Sequence, residues 1–287
     1  MLPAADTLAS LLILASAGLH AVVNLLWKAD RDRWAFRVLV DGAGAVVMLP
    51  VAFFVAPPSP VVLLCIAGSV VAHYIYQSLV IAAYRLGDLS AVYPVARGTA
   101  PLLTALGAFL FMGERPLPVA LLGIAVLVAG IVAFALEGRR GRRDNPASAR
   151  ALPLAVAAGA AVAGYTLIDA HGVRAAAGAL DYIVWLYLAV GLATTSVVAA
   201  QRGRALLPAL RLGWKPGLLA GLVSLLSYGL ALTALRLGAT AEVAALRETS
   251  VVIGALLGSL VLKEAFGLRR LTAAFIVALG ALIMHLH

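Results

Sequence analysis

Residues 85–114 read RLGDLSAVYPVARGTAPLLTALGAFLFMGE, and residues 236–264 read RLGATAEVAALRETSVVIGALLGSLVLKE. Both stretches open on Arg-Leu-Gly, at Arg85 and at Arg236. Each carries a second arginine deep in an apolar run, Arg97 in the first and Arg247 in the second. Each closes on a glutamate seventeen residues later, Glu114 and Glu264. One extra residue near Tyr93 and Pro94 separates the copies, which otherwise stay in register. The pattern is that of a duplicated unit. Its costliest residue is the arginine, at about 2.5–3.5 kcal/mol on the membrane-insertion scale.

The rest of the chain explains why the insertion scale applies. Of 287 residues, 63% are hydrophobic and 12% charged, against about 25% charged in soluble domains. A soluble fold could not hide that much apolar surface, so the class is an all-α, polytopic membrane protein. The formal charge of +9 then reports orientation in the membrane and not nucleic-acid binding. The lone Cys65 excludes an intrachain disulfide and argues against a cysteine-based metal site.

A span needs roughly 20 mostly apolar residues. Ten such runs can be placed, at about 7–27, 34–55, 60–83, 89–112, 117–136, 152–170, 182–200, 216–235, 239–262 and 268–286. The first lacks a basic lead-in and a small-residue cleavage site, so it reads as a retained span. Five runs precede the basic segment EGRRGRRDNPASAR at 137–150, and five follow it. The expected division is a first repeat at 1–137, a linker at 138–150 and a second repeat at 151–287. An odd number of spans per repeat inverts one half relative to the other, the plan of many secondary transporters. Seventeen of the 22 Lys and Arg residues fall on the face of the 137–150 loop; Arg115, Arg174 and Arg236 fall on the other. This bias puts the loop in the cytoplasm and both termini outside, with the inner cell membrane as the location. Small residues recur every four positions at Ala100, Thr104 and Ala108 and at Gly254 and Gly258, so the fourth and ninth spans are expected to pack closely.

Arg97 and Arg247 each lie about eight residues into a span, roughly 12 Å deep and near the midplane. In inverted halves they should flank one central cavity, and an anionic group is the natural ligand. The competing reading is structural, each arginine pairing with a carbonyl or an acid. His20 and Asn24 share a face of the first span, and Tyr165 and Asp169 stand at the matching place in the second half. His73, Tyr76 and Gln77 share a face of the third span, matched by Ser224, Ser227 and Tyr228. All are candidates for a cavity wall, and interhelical hydrogen bonding is the alternative. Asp41 reads as a local partner of Arg37, and Glu114 and Glu264 as loop or capping groups. Pro94 and Pro101 free backbone carbonyls in the fourth span and can bend it. Glu242 and Glu248 lie close to Arg247, whereas Arg97 has no acid in its span after Asp88. Arg97 is therefore expected to be the main anion-binding group, and Arg247 the more structural one. Among groups that could carry a coupling proton (His20, His73, Asp169, Glu242 and Glu248), the histidines titrate nearest neutrality. No Walker, HExxH or GxSxG motif occurs, and nothing in the sequence supports an enzyme, a cofactor or a metal.

AYRLGDLSAVYPVARGTAPLLTALGAFLFMGER resembles the most recognisable stretch of EamA-type transporters of the drug/metabolite transporter superfamily. LHAVVNLLWK resembles the HAxWN opening of one branch, with Val23 where Trp is usual, and SYGLALTALRLGATAEVAALRETSVVIGALLGSLVLKE is similar to the repeat in the second half. The resemblance implies a ten-helix, two-repeat carrier that moves small metabolites outward by alternating access. It places Tyr93, Arg97, Thr99, Arg247, Glu248 and Thr249 in the central region. Relatives are commonly drawn with cytoplasmic termini, and the charge count departs from this. The expected partners are a small polar, anionic or zwitterionic metabolite such as an amino acid, and the lipid bilayer. No nucleic acid is expected, and a homodimer is left open. The other functions to weigh are a flippase for a phosphorylated lipid, holding its phosphate on the arginine pair, and a scaffold with both arginines paired and no cavity.

Overall fold

A computed structural model describes residues 3–29, 32–86, 89–139, 146–262 and 268–284; side chains at 3–4, 27–29, 84–85, 89–94, 134–139, 146–150, 255, 258–262 and 268–271 fall outside the description. The regular elements among the described residues are helical: α1 Pro3–Ala29, α2 Arg33–Val51, α3 Pro60–Leu86, α4 Leu89–Met112, α5 Pro118–Arg139, α6 Pro146–Ala175, α7 Ala179–Arg202, α8 Leu206–Leu237, α9 Thr240–Arg247, α10 Ser250–Leu262 and α11 Leu268–Ile283. Six helical stretches are long and apolar enough to cross a membrane, the last running from Ala179 to Leu237 across α7 and α8. Two shorter apolar helices lie at Pro118–Ala133 and Thr272–Ile283. The basic segment 140–145 and Glu264 lie outside the described residues; α6 begins at Pro146, inside the expected linker.

The ninth apolar run holds two helices. Between α9 and α10, the amides of Glu248 and Thr249 bond the carbonyls of Ala245 and Leu246, three residues back. Val251 and Val252 repeat that spacing onto Glu248 and Thr249. Such tight turns replace the ordinary four-residue ladder and mark the run with an interruption. It contains no proline, whereas α4 is continuous through Pro94 and Pro101.

Several helix contacts recur in exchanged form between the halves. α3 packs on α6 as α8 packs on α1, α4 packs on α6 as α9 and α10 pack on α1, and α2 packs on α8 as α7 packs on α3. α2 pairs with α7, and α5 with α11. The closest backbone approach is not where the small-residue spacing placed it. A Cβ on Gly280 would lie 2.4 Å from the amide nitrogen of Leu127, so α5 and α11 touch main chain to main chain. In α4 the ridge of Ala100, Thr104 and Ala108 is buried, and beside it a Cβ on Gly159 of α6 would meet the carbonyl of Ala96 at 2.7 Å. A Cβ on Gly254 meets only Ala21, at an ordinary 3.7 Å, and the Gly258 side-chain position is outside the description.

The two ends of the bundle are tied differently. At one, Arg174 near the end of α6 bonds the carbonyls of Leu235 and Gly238 at the end of α8. Arg236 of α8 returns the arrangement onto the carbonyls of Val173, Ala176 and Ala177. Cations at helix C-termini satisfy orphan carbonyls and oppose the helix dipole. Glu114 joins this end by accepting from the Thr240 amide at 2.8 Å and pairing with Arg174 at 2.7 Å. It caps α9, a role in keeping with a loop or capping group. At the other end Asp32 caps α2, accepting from the Ala35 amide, and pairs with Arg202.

Candidate functional site

A cavity of about 80 Å³ lies among α1, α2, α3, α4, α6, α7, α8 and α9. Among the described residues, α5, α10 and α11 take no part in its wall. The charged lining groups are Arg37, Asp41, Arg97 and Arg247; the aromatic ones are His20, His73, Tyr76, Tyr165, Tyr187 and Tyr228.

Arg97 is 4% exposed and Glu248 2%. One guanidinium nitrogen of Arg97 donates to both Glu248 oxygens, at 3.1 and 3.4 Å. The other terminal nitrogen lies 2.7 Å from Nε2 of His20. A guanidinium only donates, so that His20 nitrogen presents its lone pair, which places the ring proton on Nδ1. Arg97 therefore ties α1, α4 and the interruption of the ninth run together. This overturns the expected division of labour between the arginines: Arg97 is the one held by a protein carboxylate. Glu248 follows Arg247 directly in sequence, but adjacent residues point about 100° apart on a helix.

Arg247 stands otherwise. Its guanidinium carbon lies 4.8 Å from the centre of the Tyr228 ring. Among the described residues its buried Nε has no acceptor in reach, and it takes part in no ion pair. A buried donor without an acceptor is rare and calls for an explanation.

Tyr228 is placed by Asp169. That carboxylate, fully buried in α6, accepts from the Tyr182 hydroxyl at 2.7 Å and from the Tyr228 hydroxyl. Asp169 thus lies behind the cavity wall and fixes the ring on which Arg247 rests. His73 stacks on Tyr165 at 4.1 Å and meets the edge of Tyr228 at 5.6 Å. Its Nδ1 bonds the Ser69 carbonyl at 2.9 Å. Tyr76 meets Tyr165 edge to face at 5.9 Å. These rings make a stacked wall, the edge-to-face geometry that ring quadrupoles favour.

Of the residues singled out from sequence for the cavity wall, His20, His73, Tyr76, Arg97, Tyr165, Ser224, Ser227, Tyr228 and Arg247 come together at this cavity. Glu248 stands behind Arg97. Gln77 is buried, and its amide oxygen, in the orientation that satisfies both halves of the group, accepts from Arg37 at 2.9 and 3.1 Å. It braces the wall from outside. Thr99 bonds the Val95 carbonyl of its own helix and packs against Gly159. Asn24 is half-buried one turn from His20 and does not line the cavity. Thr249 bonds the Leu246 carbonyl in the interruption. The Tyr93 side chain lies outside the described residues.

Three polar wall residues were missed, beside the apolar Leu186 and Val190. Arg37 and Asp41 do form the expected local pair, at 2.9 Å, with Thr194 donating to Asp41, but both also face the cavity. Tyr187 lines it too, its hydroxyl donating to the Ser224 carbonyl at 2.9 Å. The available signal was position: Arg37 and Asp41 lie inside their apolar run, and Tyr187 occupies the equivalent run of the second half.

Residues 149–286 match the EamA-like transporter family. A protein of known crystal structure shares the fold, with a TM-score of 0.74 at 18% identity, covering 99% of this chain and 98% of its own. No curated protein matches the chain.

Proposed function

We propose that this chain, an EamA-type membrane transporter by the match of its second half, is a secondary carrier of a small polar metabolite bearing a carboxylate or similar anionic group. Its apolar helices and that match make it a multi-pass membrane protein. In our reading it has ten spans, with α9 and α10 sharing the ninth, in two inverted repeats of five. The exchange of helix contacts between the halves supports that plan. The cytoplasmic placement of the 137–150 loop is part of the same reading, and the charge bias supports it. Two of the three cations on the opposite face, Arg174 and Arg236, are engaged by helix-end carbonyls.

The observation that carries the substrate class is Arg247. Within the wall Arg37 is balanced by Asp41 and Arg97 by Glu248. Arg247 remains as a cation with a buried donor that lacks an acceptor. An anionic group is what such a site lacks, and a planar fork grips a carboxylate in two places. The aromatic wall accommodates the apolar body of a small molecule. A scaffold would leave neither an uncompensated arginine nor a cavity beside it, so the site favours transport. Alternating access follows from the inverted plan, with α4 and the interrupted ninth span rearranging around the cavity.

The test is flux of radiolabelled amino acids and small carboxylates in proteoliposomes. Saturable uptake that Arg247→Gln abolishes is the expected result. Absence of saturable flux for every compound tested would count against a carrier of this class.

A further inference from the structure

We propose that Glu248 is the proton site of this carrier, and that its protonation releases Arg97 as a second cationic group for the substrate's anion. The proposal rests on the carrier reading above. It makes transport a symport of one proton with the anion.

The geometry carries it in three steps. First, Arg97 forms part of the cavity wall, whereas Glu248 sits behind it, out of that wall. Glu248 therefore occupies the position of an internal stand-in for a substrate carboxylate on the far side of Arg97. Second, a single nitrogen of Arg97 reaches both Glu248 oxygens. This is a weaker grip than the two parallel bonds of a bidentate pair. A proton placed on Glu248 removes the charge that holds the contact, and an anion in the cavity can take that place beside Arg97. Third, Glu248 lies in the interruption between α9 and α10. The bond that the proton loosens is the one tying that interruption to α4. Binding and rearrangement are thus coupled through one group.

The surroundings single out Glu248. Around it stand Arg97 from α4, Tyr165 from α6 and Arg247 from its own segment; His20 of α1 lies on the far nitrogen of Arg97, and Tyr228 of α8 carries Arg247 on its ring. Arg37 of α2 stands across the cavity, paired with Asp41. Among its described residues α5 brings no titratable group. His20 is disqualified by its tautomer, since a proton on Nε2 would place two donors against each other across 2.7 Å. Beside Glu248 lies a second, smaller space of about 10 Å³, also bordered by Arg247, Thr104 and Thr166. It is roughly the size of one water molecule and gives a proton a place to arrive.

The sign of the coupling is fixed. An anion in the cavity favours the protonated form of Glu248, and by reciprocity protonation tightens the anion. A proton moving down an inward gradient would therefore drive accumulation, opposite to the export that the family resemblance implies.

The experiment uses the purified full chain in detergent micelles and sodium pyruvate as probe, a carboxylate that stays ionised between pH 5 and 8. Infrared titration without pyruvate should show a protonated-carboxyl band that grows as pH falls and is absent from Glu248→Gln. Over the same window the Kd for pyruvate should fall about tenfold per pH unit, the slope of one linked proton. That slope should vanish in Glu248→Gln and persist in His20→Gln, which keeps an acceptor. Glu248→Asp, which retains a titrating group, should move the band's midpoint. The proposal is overturned if no Glu248-dependent band appears. It is equally overturned if the slope survives in Glu248→Gln or disappears in His20→Gln. Pyruvate binding with no pH slope in the native chain overturns it as well, while leaving the carrier reading intact. Failure of pyruvate to bind at any pH counts against the substrate class, and the infrared band alone then decides the proton site.

Discussion

Replacing Arg97 with Met should destabilise the protein far more than replacing Arg97 and Glu248 together. Arg97 and Glu248 are both almost wholly buried and joined at 3.1 Å. Removing one member of a buried pair leaves an uncompensated charge and costs about 3–5 kcal/mol. Arg97→Met also strips His20 of the donor at 2.7 Å, adding about 1–3 kcal/mol for an unsatisfied acceptor. At roughly 2–4 °C per kcal/mol, the single variant should melt on the order of 10 °C lower. In Arg97→Met/Glu248→Leu the orphaned carboxylate is gone, while the His20 acceptor remains unmet. The double variant should therefore recover most of the loss, with a coupling energy of about 3 kcal/mol between the two sites. Fluorescence-detected thermal unfolding in detergent, run as a double-mutant cycle, reads this directly. Additive losses would refute the pairing, as would a single-variant loss below about 1 kcal/mol, the range of exposed pairs.

The remaining predictions are narrower. Arg247→Lys should fold normally yet transport poorly, because it keeps the charge and loses the planar fork over Tyr228; Arg97→Lys should mainly lower the yield of folded protein, read by size-exclusion chromatography. Burial would raise the Asp32 carboxyl, but the hydrogen bond from Arg202 and the Ala35 amide outweigh it and hold Asp32 below its ordinary value of 3.8. A depressed folded value means a contribution present above pH 3.8 that disappears as pH falls through the folded value; for so exposed a pair it should be no more than about 1 kcal/mol, and Asp32→Asn should flatten that part of a stability–pH profile. Gly280→Ala places a Cβ 2.4 Å from the Leu127 nitrogen and should cost about 1–3 kcal/mol by overpacking α5 on α11, whereas Gly254→Ala, which meets only Ala21 at 3.7 Å, should leave the melting temperature nearly unchanged.

Sequence alone carried the all-helical membrane class, because hydrophobic runs of span length are dictated by the bilayer. Most of the cavity wall was also legible, for a related reason. A polar side chain inside a span must find an interior partner, so His20, His73, Tyr165 and Tyr228 announced themselves by composition. What remained hidden were facts of pairing. Arg37 and Asp41 satisfied each other at four-residue spacing, and nothing in that spacing told which way the pair faced. The tight packing of α5 on α11 depends on Gly123, Gly130 and Gly280 meeting across two helices. No single-helix repeat encodes that meeting. The Glu248 interruption has no proline to signal it; it is made by i→i+3 bonds that any residue can form.

The difference between the two arginines was nevertheless written in the register. The alignment that pairs Arg97 with Arg247 also pairs the next residues, Gly98 with Glu248. In a duplicated fold, an interaction from one half has an image in the other unless a residue is missing. The bond from Arg97 to Glu248 has as its image a bond from Arg247 to position 98, where glycine offers no carboxylate. Likewise the contact of Arg97 with His20 has as its image Arg247 with Tyr165, and both of those residues border the cavity. Sequence proximity suggested that Glu248 would quiet Arg247. The duplication assigns it across the halves instead, and the structure agrees. One acid between two equivalent arginines leaves Arg247 without a direct ion pair among the described residues, which is the feature the proposed anionic substrate would meet. The anionic substrate proposed above rests on this mismatch between the two copies, Gly98 standing where the second half has Glu248.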